Sequence, residues 1–349
     1  MHNYSSLNVL SLLKSFYMES GVQNSTKIAT LGLIFLSVAG SIYSDSYQIQ
    51  KTWFGDPDLQ GTWTNSTLTT LERSSSFKEL VVSEEQAEMA ALIAAQGNDA
   101  YDNYLKEGET PKKGQDVGGY NTAWMDPGTK LLKVGDEYRS SIIISPKNGK
   151  LPWDAKKRRE YFSKDLRRKF KRTDHPELRG VGERCVVGFG SSGGPPMMNV
   201  LYNNNYQIVQ SPGYVMIMAE MIHDTRIVRI EGVHLPESMD PWMGDSIGRW
   251  EDDTLVVETT NFNWQHIHRA GLRHYFAISK DAKITEIFRR TSDTEILYRF
   301  RVDDPNLYKS AWVGEMPLRA QSDKIYEYAC HEGNYAMGNI LAGAREVEK

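Results

Sequence analysis

Ten residues near the C-terminus, Tyr326-Glu-Tyr-Ala-Cys330-His331-Glu332-Gly333-Asn334-Tyr335, carry an imidazole, two carboxylates, an amide, a thiol and three phenols. They follow Lys324 to Ala329, which reads as a β-strand. A free histidine titrates near pH 6.5, so His331 suits proton transfer at neutral pH, with Asn334 and Tyr335 as binding groups beside it.

A second dense region runs from Asn203 to Asn261. Strand alternation from Glu220 to Arg226 would set Glu220, Ile222, Asp224 and Arg226 on one face, with Met221 and His223 on the other. Arg226 then becomes an anion anchor, and His223 or Asp224 a proton carrier; a structural ion pair is the plain alternative. In Trp242-Met-Gly-Asp245-Ser246, Asp245 is either a turn residue or an exposed general base. Glu258 in Leu255-Val-Val-Glu-Thr-Thr-Asn261 depends on which face is internal. If the Val256 side is, Glu258 is a buried carboxylate of raised pKa, with Asn261 as its orienting amide; if the Leu255 and Val257 side is, Glu258 is solvated. The candidate catalytic set is therefore His223, Asp224, Arg226, Asp245, Glu258 and His331. Trp124, Trp242, Trp250, Asn261, Trp264, Asn334 and Tyr335 are the candidate substrate contacts. His266-Ile-His268 has strand spacing for two metal ligands, but a third, such as His274 or His331, would be needed. No metal and no cofactor is therefore expected.

Several classes are excluded. No Gly-x-Gly-x-x-Gly follows a strand and no P-loop is present, which disfavours nucleotide folds. There is no Gly-x-Ser-x-Gly elbow; Gly190-Ser191-Ser192-Gly193 does not match it. A net charge of −4 argues against a nucleic-acid partner. The one strongly basic stretch, Lys156 to Arg172, is a solvated face or a docking patch for an anion.

Around these residues the elements are mostly strands. Tyr206–Gln210, Tyr214–Ile222, Thr225–Ile230, Thr254–Thr260, Lys283–Arg290 and Glu295–Val302 alternate and are punctuated by Gly, Pro, Asp and Asn. Such spacing predicts a mainly β fold, an antiparallel meander closing into a lipocalin-like barrel or sandwich, with N-terminal helices packed on it. Ser83, followed three residues later by Gln86, predicts a capped helix to Leu105. Asp154–Arg172 is expected to be helical, Ser140–Ser145 a short buried strand, and Gly188–Pro196 a flexible loop. The octets from Gly61 to Leu68 and from Gly248 to Leu255 share Gly-x-Trp and Thr-Leu, and read as two equivalent strand starts.

Lys27, the apolar run Ile28–Ala39 and the small-x-small site Ala39-Gly40-Ser41 read as a signal peptide, with Met18 a candidate true start. The run is short for a membrane span, which needs ~20 residues. The expectation is a periplasmic or secreted protein without a stable membrane span once the signal is removed. Residues 1–44 are signal and extension, 45–200 a strand, helix and loop region, and 201–349 the barrel region, the last two readable as one continuous domain. An oxidising compartment favours a Cys185–Cys330 disulfide. The alternatives are a nucleophilic thiol beside His331 or two buried free thiols.

Gly-x-Trp opening a strand ahead of a meander resembles the lipocalin and calycin pattern. The segments MIHDTRI, WMGDSIGRWEDDTLVVETTNF and YEYACHEGNYAM resemble a widespread family of exported, largely uncharacterised bacterial proteins. The likeness spans Pro57 to Lys349; it implies export and a common site, and assigns no residue a role. The function expected is a cofactor-independent enzyme doing acid–base chemistry of the lyase, hydratase, isomerase or hydrolase type on a small, partly hydrophobic or aromatic molecule. The alternatives are a periplasmic lipocalin-like carrier and a structural protein of the cell envelope.

Overall fold

Fifteen strands and three helices are described by the computed structural model, which covers residues 47–102, 125–165 and 169–349. In chain order they are β1 (Gly61–Thr64), β2 (Val81–Val82), α1 (Glu84–Asp102), β3 (Lys133–Val134), β4 (Glu137–Arg139), β5 (Ile143–Ser145) and α2 (Ala155–Ser163). Then come β6 (Asn205–Ser211), β7 (Tyr214–Ala219), β8 (Thr225–Ile230), β9 (Asp245–Glu251) and β10 (Thr254–Thr260). The last are β11 (His268–Gly271), β12 (His274–Ala277), β13 (Lys283–Ser292), β14 (Glu295–Asp303), β15 (Trp312–Ala320) and α3 (Ala336–Glu348). Trp124 lies outside the described residues, as do the expected signal segment and residues 103–105 of the expected first helix.

The expected barrel is present. Nine strands follow in the ring order β1-β6-β7-β8-β9-β10-β13-β14-β15, and β1 pairs with β15 through Trp63↔Ala320 to close it. Closure removes the unpaired edges that an open sheet leaves. Every pair in the ring is antiparallel except β8 with β9, which is parallel and needs the crossover 231–244. β5 pairs with β15 outside the ring, while β2, β4 and β3 form a small separate sheet. There Val82, Ala87 and Leu131 cluster with Phe77, Ala90 and Tyr138, which docks α1. Its start is the expected capping box: Gln86 N–H donates to Ser83 Oγ at 3.3 Å and Ser83 N–H to Gln86 Oε1 at 3.1 Å.

Alternation fills the lumen. Leu255, Val257, Ile284, Phe288, Tyr298, Phe300 and Val302 are fully or nearly fully buried, with Trp63 and Tyr206 from the other side of the ring. Gly314 lies opposite Phe300, where an added Cβ would sit 2.2 Å from Phe300 Cζ, so only glycine admits that ring. The Leu255 and Val257 side is therefore internal, and Glu258 faces outward, half-buried. Gly61 opens β1 but Gly248 lies inside β9, so the two Gly-x-Trp octets are not equivalent strand starts.

Three local expectations need correction. β7 stops at Ala219, and Ile222 and His223 turn through φ of 59° and 55°, so Glu220, Ile222, Asp224 and Arg226 do not share a face. Lys324–Ala329 is not a strand, because β15 already has β1 and β5 as partners and offers no edge. α2 runs only from Ala155 to Ser163 and buries no residue, so no docked apolar stripe prolongs it beyond its first turns.

Candidate functional site

The β11–β12 hairpin sorts its side chains by alternation. Arg269 and Phe276 are cross-strand partners that point inward and are buried. His268 and Tyr275, diagonal neighbours on the opposite face, are exposed, with His268 Nδ1 2.7 Å from the Tyr275 hydroxyl.

Around this pair α2 builds one wall. Asp154 caps the helix, its carboxylate accepting from Lys156 N–H and Lys157 N–H at 3.0 Å each. One helical turn later Arg158 and Phe162 meet the hairpin. Phe162 stacks on the His268 ring with centroids 5.3 Å apart and planes at 6°. The Arg158 guanidinium lies 4.4 Å from the Trp153 ring and 5.7 Å from that of Tyr275. Tyr275 is 40% exposed but packs its ring against Trp153, and this partial burial raises its phenol against the charge of Arg158, so the hydroxyl stays protonated at neutral pH.

Two clefts open here. The first, of about 550 Å³, is lined by Arg158, Arg159, Phe162, Asp165, His268 and Tyr275. The second, of about 470 Å³, shares Asp165 and His268 and continues along Phe170, Arg172, Arg179, Glu183 and the loop Gly188–Gly190. Glu183 ties this wall together, accepting from Arg179 at 2.7 Å, from Arg172 at 3.1 Å and from Gly180 N–H at 2.9 Å. Burial alone would raise the Glu183 carboxyl; Gly180 N–H and the two arginines lower it below its usual value.

Behind the clefts lies a buried polar layer. Asp224 accepts from Gly188 N–H at 2.6 Å and so holds the glycine loop. At Gly190, φ is 68° and a Cβ would come within 2.5 Å of the Ala270 carbonyl, which seats the loop against β11. Arg269 donates to Gly194 O at 3.4 Å and to His266 Nε2 at 3.0 Å. His266 Nδ1, 3.0 Å from Trp242 O, is therefore the protonated nitrogen. Burial pushes the Asp224 carboxyl up to about 6 against the Gly188 bond and the charge of Arg269. Burial also draws Arg269 down to about 9, still cationic at neutral pH, and takes His266 well below its ordinary value.

None of the expected catalytic residues lines a cleft. Asp224 stands behind the second one. His223 Nε2 accepts from Tyr328 N–H at 3.3 Å. Arg226 is inside the barrel, bonded to Glu286. Asp245 and Glu258 do come together, around a histidine that the sequence reading missed. His234 Nδ1 is 2.8 Å from Asp245 Oδ2 and its Nε2 is 3.5 Å from Glu258 Oε1. Arg229 clamps Asp245 at 2.8 and 3.1 Å, Leu235 N–H adds a bond at 3.0 Å, and Lys283 pairs with Glu258. Burial by itself raises the Asp245 carboxyl, but these donors outweigh it and bring it down to about 2. A carboxylate so strongly stabilised as an anion is a poor general base.

The expected binding residues are scattered. Asn261 donates to Leu235 O at 2.9 Å and pins the crossover. Trp242 contributes its carbonyl to His266, and Trp250 is half-buried in β9. Trp264 is exposed. Asn334 donates to Glu183 O at 3.3 Å, behind the second cleft, while His331 and Tyr335 are exposed on the C-terminal segment. The Cys185–Cys330 disulfide is formed. His266 and His268 point to opposite sides, one buried and one exposed, and no group of three or more possible metal ligands occurs among the described residues. No helix among these residues is long and apolar enough to cross a membrane.

The sequence reading names neither Arg158, Phe162 nor Tyr275; it touches this region only through the basic run from Lys156, read as a solvated face or an anion patch, and the His-x-His spacing, read as metal spacing. No family model, curated protein or solved structure matches this chain.

Proposed function

We propose that this protein is an exported enzyme that moves protons, without a cofactor, on a small and partly hydrophobic anion held at His268. The observation that carries this is the 2.7 Å contact between His268 and Tyr275 at the junction of the two clefts. An imidazole that can take a proton stands beside a phenol that holds one, the donor-and-acceptor pairing that elimination, hydration and isomerisation require. Phe162 and Trp153 give apolar faces, and Arg158 and Arg159 stand where charge on the substrate would develop. The disulfide agrees with an oxidising compartment, as does the signal-like sequence before residue 44. A carrier of the lipocalin kind is less well supported, because Trp63, Tyr206, Phe288, Tyr298 and Phe300 occupy the lumen that its ligand would need.

The test is a screen of the purified protein against small aromatic and carboxylate compounds, read by mass spectrometry, with His268→Gln and Tyr275→Phe in parallel. Wild type should consume a compound, and each variant should do so about 100-fold more slowly while still folding. A compound retained unchanged by all three proteins would make this a binding protein and remove His268 from any catalytic role.

A further inference from the structure

Arg269 is enclosed, only 1% exposed, and still cationic at neutral pH. Buried charges in proteins are found paired, because a dry and uncompensated ion is strongly destabilising. Arg226 meets that need on Glu286, and Arg299 on Glu315. Arg269 has no carboxylate within ion-pair reach among the described residues. Its two bonds, both from Nη1, go to neutral groups: the Gly194 carbonyl at 3.4 Å and His266 Nε2 at 3.0 Å. Nε and Nη2 have no partner. Those two nitrogens share one edge of the guanidinium, and their N–H bonds point the same way, spaced as the two oxygens of a carboxylate are. A water molecule on this edge accepts the protons but leaves the charge uncompensated.

We propose that the Nε and Nη2 edge of Arg269 is a binding site for a small carboxylate, of the size of formate or acetate, enclosed between β11 and the loop Gly188–Gly194. This site is separate from the clefts and owes nothing to the proton transfer proposed there: His268 and Arg269 are successive residues of β11, one exposed and one buried. The surrounding charges favour an anion. Arg226 adds a second positive field, while its own counter-ion, Glu286, is held by Arg226 and by the Tyr298 hydroxyl. His266 is neutral, accepting from Arg269 at Nε2 and donating to Trp242 O at Nδ1. Asp224 is the opposing charge, but it acts from beyond ion-pair distance, and Gly188 N–H donates to its Oδ2 at 2.6 Å.

The seam between loop and hairpin is where such an occupant fits. Toward the barrel the segment from Gly188 to Met197 is firmly held: the Tyr206 hydroxyl donates to Ser192 O at 2.7 Å, and Met197 N–H to the Tyr298 oxygen at 2.9 Å. Toward the β11–β12 hairpin its one hydrogen bond among the described residues is the 3.4 Å contact from Arg269 to Gly194 O. That length is at the outer limit for an N–H···O bond. Parting the seam by the width of an ion gives up this weak bond, and the carboxylate makes two charge-assisted ones in its place. The outer end of the loop, Gly188–Gly190, lines the second cleft, so the ion enters from there.

The experiment is thermal unfolding in sodium formate, acetate or chloride at equal ionic strength, with binding of isotope-labelled formate followed by NMR. The proteins are wild type, Arg269→Met, Arg269→Lys, Asp224→Asn and Arg158→Gln. At about 100 times its Kd, formate or acetate should raise the melting temperature of wild type by about 5 °C over chloride. Wild type should bind a single equivalent of formate. Arg269→Met should lose both effects, and in chloride it should be no less stable than wild type, since a dry unpaired charge leaves with the side chain. Arg269→Lys keeps the charge without the fork and should lose the preference for formate over chloride. Asp224→Asn keeps an acceptor for Gly188 N–H and removes the opposing charge, so near neutral pH it should bind formate several-fold more tightly; this variant decides the matter if neither arginine variant folds. Equal stabilisation by chloride, or none by any of the salts, would overturn the inference, the first meaning screening alone and the second a water on the edge. Formate binding that survives Arg269→Met, or that Asp224→Asn leaves unchanged, would also overturn it. Loss of binding in Arg158→Gln would move the carboxylate to the first cleft, and so sink the buried site while supporting the anion proposed at His268.

Discussion

Arg226 and Glu286 face one another across the barrel lumen. They belong to β8 and β13, which two strands separate along the ring, yet their side chains meet at 2.7 and 3.0 Å in a bidentate pair. Tyr298 donates to the same carboxylate at 2.7 Å and accepts from Met197 N–H at 2.9 Å. Arg226 thus spans the core and is not an anion anchor for a ligand.

Breaking one half of this pair strands a charge in the lumen. Glu286→Gln is expected to cost about 3–5 kcal/mol, whereas Arg226→Met combined with Glu286→Leu should cost much less. Urea denaturation of the three proteins checks this. A double variant as damaged as the single one would mean that packing around the pair, and not its charge, sustains the barrel.

Two carboxylates should give stability opposite pH dependences. Asp224 is raised from 3.8 to about 6, so between these values the folded protein holds more protons than the unfolded one. Its contribution therefore falls as pH rises through that window. Asp245 is lowered from 3.8 to about 2, so its contribution is present above the higher value and is lost as pH falls through the lower. Melting temperatures of wild type, Asp224→Asn and Asp245→Asn across this range should show each variant losing its own limb. An unchanged slope in Asp224→Asn would remove the buried charge assigned to it.

The C-terminal segment hangs on a few ties once the barrel has closed at Ala320. Among the described residues these include the Cys185–Cys330 disulfide, Tyr328 on His223 and stacked on Tyr202, Asn334 on Glu183, Lys171 on Glu348, and Arg345 on the carbonyls of Thr173 and Asp174 at 2.7 and 3.0 Å. Reduction should release residues beyond Ala320 to protease while the barrel remains folded. The disulfide closes a loop of 145 residues, so its loss should cost up to about 5 kcal/mol in the chain-entropy model. Simultaneous digestion of the barrel would show that the segment holds more than itself.

Asp154 links a helix cap to the site. Its carboxyl lies below the usual value, chiefly through the Lys157 N–H bond, and the cap fixes the first turn that carries Arg158. Asp154→Ala should weaken anion binding several-fold, and Asp154→Asn, which keeps the acceptor, should restore it. Equal affinities in both variants would detach the cap from the cleft.

Much of the scaffold was legible locally. Period-two alternation in Asn205–Ser211, Lys283–Ser292 and Glu295–Asp303 depends on neighbours along the chain, and so does the Ser83–Gln86 cap. The signs that fixed chemistry to a place were not local. Tyr326–Ala329 has strand composition but no edge to join. His331 sits in the densest run of functional groups and yet is exposed on a tethered tail. His234, in the crossover, had no spacing to announce it, and it meets Asp245 and Glu258 only because β8 and β9 run parallel.

The sequence by itself determined a β-rich chain of alternating strands, two cysteines fit to pair, and a basic run beside aromatics, since residue type and periodicity act over a few positions. The tertiary structure decided which face of Leu255–Glu258 is internal, that Arg226 meets Glu286 and not a ligand, and that His268, Tyr275, Phe162 and Arg158 converge. Those choices depend on ring closure, strand order and the docking of α2 on the β11–β12 hairpin, which bring Phe162 to His268 and Arg158 to Tyr275 across more than a hundred positions, and no short-range pattern encodes such contacts.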